Sequence, residues 1–352
     1  MTAREELLSV RNLEKVFGSR TFFRRGDRGV HAVNGVSFAI DRGETLGLVG
    51  ESGSGKSTVG RMLLGLMPAS GGSITFDGDD LEALAASGEI RRKIQIIFQD
   101  PHASLHPRLT VRQLIAEPVR LHRGLSGSPL NEAVDRLLED VGLAPELASR
   151  YPHQFSGGQR QRIGIARALA CNPQLIVCDE PVSALDVSVQ AQIINLLKDL
   201  QEQRGLSYLF IAHDLAVVRH ISHRVAVLYL GQIVESAPSD VLFSGARHPY
   251  TQALLASIPR AGAVPDARAR LKGEPPSPFD RPDGCAFRGR CPHATEICTT
   301  PPPAVRLPDD HVVACHHVAT IAPFAPPPAA LVSPRLTALA RAYAPQVAAE
   351  AS

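Results

Sequence analysis

The stretch "GESGSGKST", Gly50 to Thr58, follows the apolar run "TLGLV" and leads into "TVGRMLLGLM". It matches G-x-x-x-x-G-K-[ST] in full. Its setting is the one this pattern needs: a buried strand, a glycine-rich loop, then a helix. The glycines let the backbone curl until its N–H groups point at phosphate oxygens, and the helix N-terminus adds positive potential. Gly50, Ser52, Gly53, Ser54, Gly55 and Thr58 shape that cradle. Lys56 offers a point charge to the β- and γ-phosphates, and the Ser57 hydroxyl is a ligand for Mg²⁺. A chance glycine-rich turn would not come with strand and helix in register. The stretch therefore predicts an α/β fold of the P-loop type around a nucleotide phosphate.

The surrounding sequence carries the same alternation. "VSFAI", "TLGLVG", "LIVCDE" and "SYLFIAH" are short apolar runs, and they read as buried parallel strands with functional groups at their carboxyl ends. Helical spacing joins Val59, Met62, Leu63 and Leu66, and again Val189, Ile193, Leu196, Leu197 and Leu200. "HPYTQALLASIP" reads as a further helix, started by His-Pro and stopped by Pro259. The insertion "FFRRGDRGV", Phe22 to Val30, reads as a charged loop or hairpin. After residue 260 the chain turns rich in Pro, Gly and Arg, and its last twenty or so residues are rich in Ala and Pro.

Composition narrows the function. The chain has 352 residues, 37 basic and 35 acidic, with a net charge of +2. That balance argues against a nucleic-acid surface, which needs a basic excess. "MTAREELLSV" puts charges where a secretion signal needs an apolar run. No stretch reaches the roughly eighteen apolar residues of a membrane helix. Of six cysteines, Cys171 and Cys178 lie in apolar surroundings and read as core. The other four, Cys285, Cys291, Cys298 and Cys315, gather near the far end with the spacing C-x5-C-x6-C-x16-C. In a reducing compartment such a cluster points to a metal site before disulfides.

Further motifs supply chemistry. "LIVCDEP" ends a strand in two acids; Asp179 sits where a carboxylate would hold Mg²⁺, and Glu180 is placed to polarise an attacking water. Alone this is weak, since acid pairs also cap helices; beside the phosphate loop it is strong. "FSGGQRQR", Phe155 to Arg162, has no obvious structural reason and makes an anion-receiving helix start. Here the chain resembles the ATP-binding cassette (ABC) ATPases. In that family Ser156, Gly157, Gly158 and Gln159 would match the signature motif, which contacts the ATP of the other subunit. The resemblance makes Gln99 in "IIFQDP" the glutamine that reaches Mg²⁺ and the attacking water. It makes Asp186 in "SALD" the residue of the loop that spans the dimer interface, His213 in "IAHDL" the histidine at the γ-phosphate, and Phe17 the first candidate for the aromatic on adenine, with Phe22 and Phe23 as nearby alternatives. Alone, His213 would read as a satisfied strand-end histidine and Gln99 as a turn residue; the ordered set outweighs that.

The resemblance extends over about residues 5 to 320 to the ATP-binding subunits of oligopeptide and dipeptide importers, through "IQIIFQDPHASLHPRLTV", "YPHQFSGGQRQRIGIARALACNPQLIVCDEPVSALDVSVQAQIINLL" and "HPYTQALLASIPR". "FFRRG" and "STVGRMLLGL" resemble the second of the two ATPase subunits such importers usually encode. The fold this implies is α/β: a P-loop ABC nucleotide-binding domain, with a RecA-like core plus a helical subdomain, and a small Cys-rich C-terminal domain. The expected boundaries are 1–258 (helical subdomain about 100–170), 259–325 for the Cys-rich domain, and 326–352 for the Ala/Pro-rich tail. The implied cofactors are ATP, Mg²⁺ and, at Cys285, Cys291, Cys298 and Cys315, a [4Fe–4S] cluster, with Zn²⁺ as the alternative. The implied partners are a homologous ATPase subunit, head to tail, as a heterodimer, two transmembrane permease subunits and an extracytoplasmic peptide-binding protein. The implied place is the cytoplasmic face of the membrane, peripherally. Competing readings are an importer for nickel or another solute, a soluble cassette ATPase of translation or DNA repair, and a cassette that binds ATP without cleaving it. The single cassette without heptads stands against the second, and intact Lys56, Asp179, Glu180 and His213 against the third.

Overall fold

The structure, a computed structural model, describes residues 5–18, 29–100, 104–258, 273, 276 and 282–325. The insertion read at Phe22–Val30 lies, up to residue 28, outside the described residues, and so does the tail from residue 326.

Two sheets organise the chain. The strands are β1 (Glu6–Phe17), β2 (Val30–Asp41), β3 (Thr45–Val49), β4 (Gly71–Phe76), β5 (Asp79–Asp80), β6 (Ile94–Ile97), β7 (Leu175–Asp179), β8 (Ser207–Ala212), β9 (Arg224–Tyr229), β10 (Gln232–Pro238), β11 (Ala304–Leu307) and β12 (His311–Ala314). The larger sheet runs β11-β12-β10-β9-β3-β8-β7-β6, and the smaller runs β2-β1-β4-β5. Pairings from β9 through β3, β8 and β7 to β6 are parallel. This is where "TLGLV", "LIVCD" and "SYLFIA" fall. "VSFAI" does not: it belongs to β2, which pairs antiparallel with β1 in the smaller sheet. An apolar run alone cannot report the direction of its partner, and the half-buried positions of β2 mark a sheet with one wetter face.

The parallel strands are buried on both faces because side chains alternate with period two. Leu175 and Val177, Leu209 and Ile211, and Ala226 and Leu228 pack with Val59, Met62 and the smaller sheet. Their neighbours Ile176 and Cys178, Tyr208 and Phe210, and Val225 and Val227 face a second core with the helices. Cys171 and Cys178 are both buried free thiols. The helix after the phosphate loop, Lys56–Leu63, is shorter than the spacing predicts. Leu66 lies beyond its end and is 65% exposed, so it does not continue the buried stripe. In the helix Val187–Arg204 the inward positions are Ile193, Ile194, Leu197 and Leu200, while Val189 and Leu196 are half-buried at its margin.

Among the described residues, the α-helices Val111–Arg123, Gly127–Asp140 and Gly157–Leu169 lie between β6 and β7. The first starts at a capping box between Thr110 and Gln113. Past the helix Pro249–Ala256 the chain returns to the large sheet: β12 pairs with β10, and β11 forms its edge. No helix among the described residues is long and apolar enough to cross a membrane.

Candidate active site

The site forms where β3, β8, β7 and β6 end side by side. The carboxyl edge of a parallel sheet is where such folds collect their ligands, because loops there lead into helix N-termini. Gly55 is the last loop residue before the helix Lys56–Leu63 and has φ 107°. A Cβ there would stand 2.3 Å from the Ala32 carbonyl oxygen, so only glycine lets the loop close against β2.

Lys56 is buried. Its ammonium donates to the carbonyls of Gly50 at 2.7 Å and Glu51 at 2.9 Å, which folds the side chain back along the loop. Burial lowers its pKa, and the negative charges of Glu180, Asp179 and Glu51 pull it back up. The Ser57 hydroxyl donates to the Asp179 carboxylate at 3.0 Å, which joins the helix start to the end of β7. Burial raises the Asp179 pKa and the charge of Glu180 adds to that, while Ser57, Arg61 and Lys56 oppose it. These two residues supply a hydroxyl and a carboxylate side by side, a donor set that suits Mg²⁺.

Glu180 gathers the rest. The Gln99 amide donates to Glu180 Oε2 at 3.0 Å. His213 Nδ1 lies 3.1 Å from the same oxygen. Glu180 has φ 49°, a left-handed backbone that costs a non-glycine residue about 1–3 kcal/mol, and its N–H donates to the Ile211 carbonyl at 2.9 Å. That bond to β8 turns the side chain out of the strand line toward the two partners. Gln99, Glu180 and His213 thus meet on one carboxylate beside Ser57, Asp179 and Lys56.

The remaining candidates lie apart. Ser156 caps the helix Gly157–Leu169: Gln159 N–H donates to its hydroxyl at 3.3 Å, and Ser156 N–H donates to the Gln159 side-chain carbonyl at 3.0 Å. This capping box gives "FSGGQ" a structural reason, and Ser-x-x-Gln before an apolar run is its signal in the sequence. Gly157 and Gly158 form the first turn, packed against Leu185 and Val189. Asp186 is the N-cap of the helix Val187–Arg204 and makes no side-chain capping bond. Among the described residues no hydrogen bond or ion pair joins Ser156, Gly157, Gly158, Gln159 or Asp186 to the phosphate loop. Phe17 ends β1, 40% exposed, with the Lys15 ammonium 5.3 Å from its ring centre.

Cys285, Cys291, Cys298 and Cys315 are free thiols. Burial raises the Cys291 pKa to about 11, and Cys285, Cys315 and Cys298 each add to the rise, so the four sulfurs lie within one another's electrostatic reach. Burial raises Cys285 and Cys315 as well. Among the described residues no group of three or more His, Cys, Asp or Glu is arranged to hold a single metal ion. The donor set of four thiols still fits a cluster bound through sulfur.

Two contacts to the phosphate loop escaped the sequence reading. The Tyr250 hydroxyl accepts from Glu51 N–H at 2.8 Å, and Arg290 forms an ion pair with the Glu51 carboxylate at 2.7 Å. Neither has a local signal, because both partners come from distant parts of the chain.

The chain is similar to known proteins over most of its length. Residues 33–183 match the family model "ABC transporter", and residues 234–298 match "Oligopeptide/dipeptide transporter, C-terminal region". The oligopeptide transport ATP-binding protein AppF of Bacillus subtilis is 52% identical over 326 residues, which cover 90% of this chain and 99% of that protein. The oligopeptide transport ATP-binding protein OppF of Salmonella typhimurium is 48% identical, covering 89% of this chain and 96% of that protein. Among solved structures, the dimeric bacterial ABC transporter cassette MJ0796 aligns with a TM-score of 0.58 at 32% identity, covering 66% of this chain and 99% of that one. The cbiO1 protein of Clostridium perfringens aligns with a TM-score of 0.60 at 27% identity, covering 68% and 91%.

Proposed function

The chain belongs to the ATP-binding proteins of ABC transporters, and we propose that it hydrolyses ATP to drive import of peptides across a membrane. The observation that carries this is the meeting of Gln99 and His213 on Glu180 beside the Ser57–Asp179 pair and Lys56. The peptide substrate rests on the named activity of the AppF and OppF relatives.

In this reading Lys56 and the backbone N–H groups from Gly55 to Thr58, at the start of the helix, bind the β- and γ-phosphates. Ser57, Asp179 and Gln99 would hold Mg²⁺, and the ion would spread the charge of the phosphates. Glu180 accepts the proton of the attacking water, and Gln99 and His213 hold its carboxylate in place. Phe17 stacks on adenine. Ser156, Gly157, Gly158 and Gln159 stand away from the chain's own phosphate loop, so they serve the ATP of a second, head-to-tail subunit, with Asp186 at the seam. That subunit is a related but different ATPase, and the complex adds two permease subunits and an extracytoplasmic peptide-binding protein. The chain then sits peripherally on the cytoplasmic face. The four cysteines bind a [4Fe–4S] cluster. Iron and sulfide analysis of protein purified without oxygen tests that part: about four of each per chain, lost in Cys291→Ser, is the expected result. One zinc in a colourless sample would overturn it.

The transport reading is tested by co-expression with candidate permease subunits from the same organism and reconstitution in liposomes. ATP hydrolysis should rise when the binding protein delivers peptide. Turnover indifferent to peptide in an intact complex would assign the chain to another solute, and a chain recovered only with ribosomes would overturn transport.

A further inference from the structure

The sequence between the first two clustered cysteines, "CAFRGRC", reaches into the ATP-binding half of the molecule. Phe287 is 2% exposed, and its ring packs with Tyr229 at 5.3 Å and Tyr250 at 5.5 Å between centres. Cys285 N–H donates to the Cys298 carbonyl at 3.0 Å, so the base of the loop is tied to a third cysteine. Three residues past Phe287, Arg290 meets Glu51 in the phosphate loop through two bonds, Nη1 to Oε2 at 2.7 Å and Nη2 to Oε1 at 3.0 Å. The Arg290 side chain is 7% exposed and the Glu51 side chain 26%. The Arg290 carbon centre lies 5.9 Å from the Tyr229 ring centre. Tyr250, from the same aromatic group, holds the Glu51 N–H.

Glu51 is an acid in a loop that binds anions. Its carboxylate is close enough to bear on the charge of the Lys56 ammonium, which also takes the Glu51 carbonyl as acceptor. Left alone, it would repel phosphate oxygens and compete for Lys56. A bidentate guanidinium cancels that charge and fixes the plane of the carboxylate.

We propose that the Cys285–Cys291 loop sets the ATP affinity of this chain through Arg290, a positioning residue that neutralises Glu51 and holds the phosphate loop open to phosphate. The inference does not depend on what the cysteines bind or on which solute is moved. It does make the cysteine segment a part of the nucleotide site: whatever shifts the loop between Cys285 and Cys291 shifts the counter-charge of Glu51.

The test measures the dissociation constants of ATP and AMP with the full-length chain by equilibrium dialysis. Arg290→Met should weaken ATP on the order of tenfold, the usual size of such a coupling, and AMP by less. Adding Glu51→Gln to Arg290→Met should restore most of the lost affinity, because the harm lies in the unpaired carboxylate. A general loosening of the fold would weaken ATP and AMP alike, and removal of the acid would not repair it. Thermal midpoints check folding; if Arg290→Met does not fold, Arg290→Gln takes its place. Unchanged ATP affinity in a folded Arg290 variant, or a double variant no better than the single one, would overturn the proposal.

Discussion

Glu180 shows how far one residue's setting can be read before and after folding. Its place at the end of "LIVCDEP" marks it as a base candidate, but its left-handed φ of 49° and the shared partners Gln99 and His213 belong to the folded chain. Strain of this kind persists only where the surroundings over-determine it, here through the N–H bond to Ile211. Glu180→Gln keeps the shape and the contact with Gln99 while removing proton acceptance. Phosphate release should fall by about 10²–10⁴, the usual contribution of a general base, with ATP binding retained. Retained hydrolysis would remove Glu180 from that role. The same scale explains what was missed. A motif is a local pattern, so Lys56, Ser57 and Asp179 were legible, whereas Glu51 pairs with Arg290 across 239 positions and no spacing rule spans that.

At the scale of elements, the helix Gly157–Leu169 depends on close approach. A Cβ on Gly158 would stand 2.5 Å from Val189 Cγ1 on the helix Val187–Arg204. Gly158→Ala must push the two helix starts apart, at a cost of about 1–3 kcal/mol. Val189→Ala should recover most of that loss in a denaturant titration; no recovery would mean the strain lies elsewhere. Helix ends also decide pH behaviour. The His248 ring caps the helix Pro249–Ala256 by accepting from Tyr250 N–H at 3.1 Å through Nδ1, so that nitrogen must stay unprotonated. Burial lowers its pKa to about 4, although Glu235 opposes the shift; Glu235, Arg247 and His311 are the charged or titratable groups in the polar cluster around it. The unfolded histidine takes up its proton near pH 6.5 and the folded one only near 4, so stability is full above 6.5 and falls as the pH drops toward 4, by roughly 3 kcal/mol. Melting curves across that window should show the slope, and His248→Asn, which can still cap, should flatten it. Helix existence was legible from spacing, but ends were not. Nothing in "TVGRMLLGLM" says that the helix stops at Leu63 and leaves Leu66 in water.

At the scale of the molecule, the sheet itself carries the C-terminal segment. β12 pairs with β10, and Glu235 on β10 is fully buried beneath that joint. Its carboxylate takes Arg247 N–H at 2.6 Å, His248 N–H at 3.2 Å and the His311 ring at 2.7 Å. Arg247 and Gln252 also donate to the carbonyls of Ile321 and Ala322. The change in composition after residue 260 was legible; the return of the chain to the large sheet was not, because β11 and β12 are four residues each and lie among prolines. Joined through one sheet and one buried carboxylate, the ATP-binding core and the cysteine segment should melt together. Calorimetry of the full chain should give one cooperative transition. His311→Ala leaves Glu235 short of a partner in a buried place, which costs about 1–3 kcal/mol, and it should lower that single transition without splitting it. Two transitions, with only the smaller one moved by His311→Ala, would show that the cysteine segment folds by itself, and the tie through β12 would then not couple it to the core.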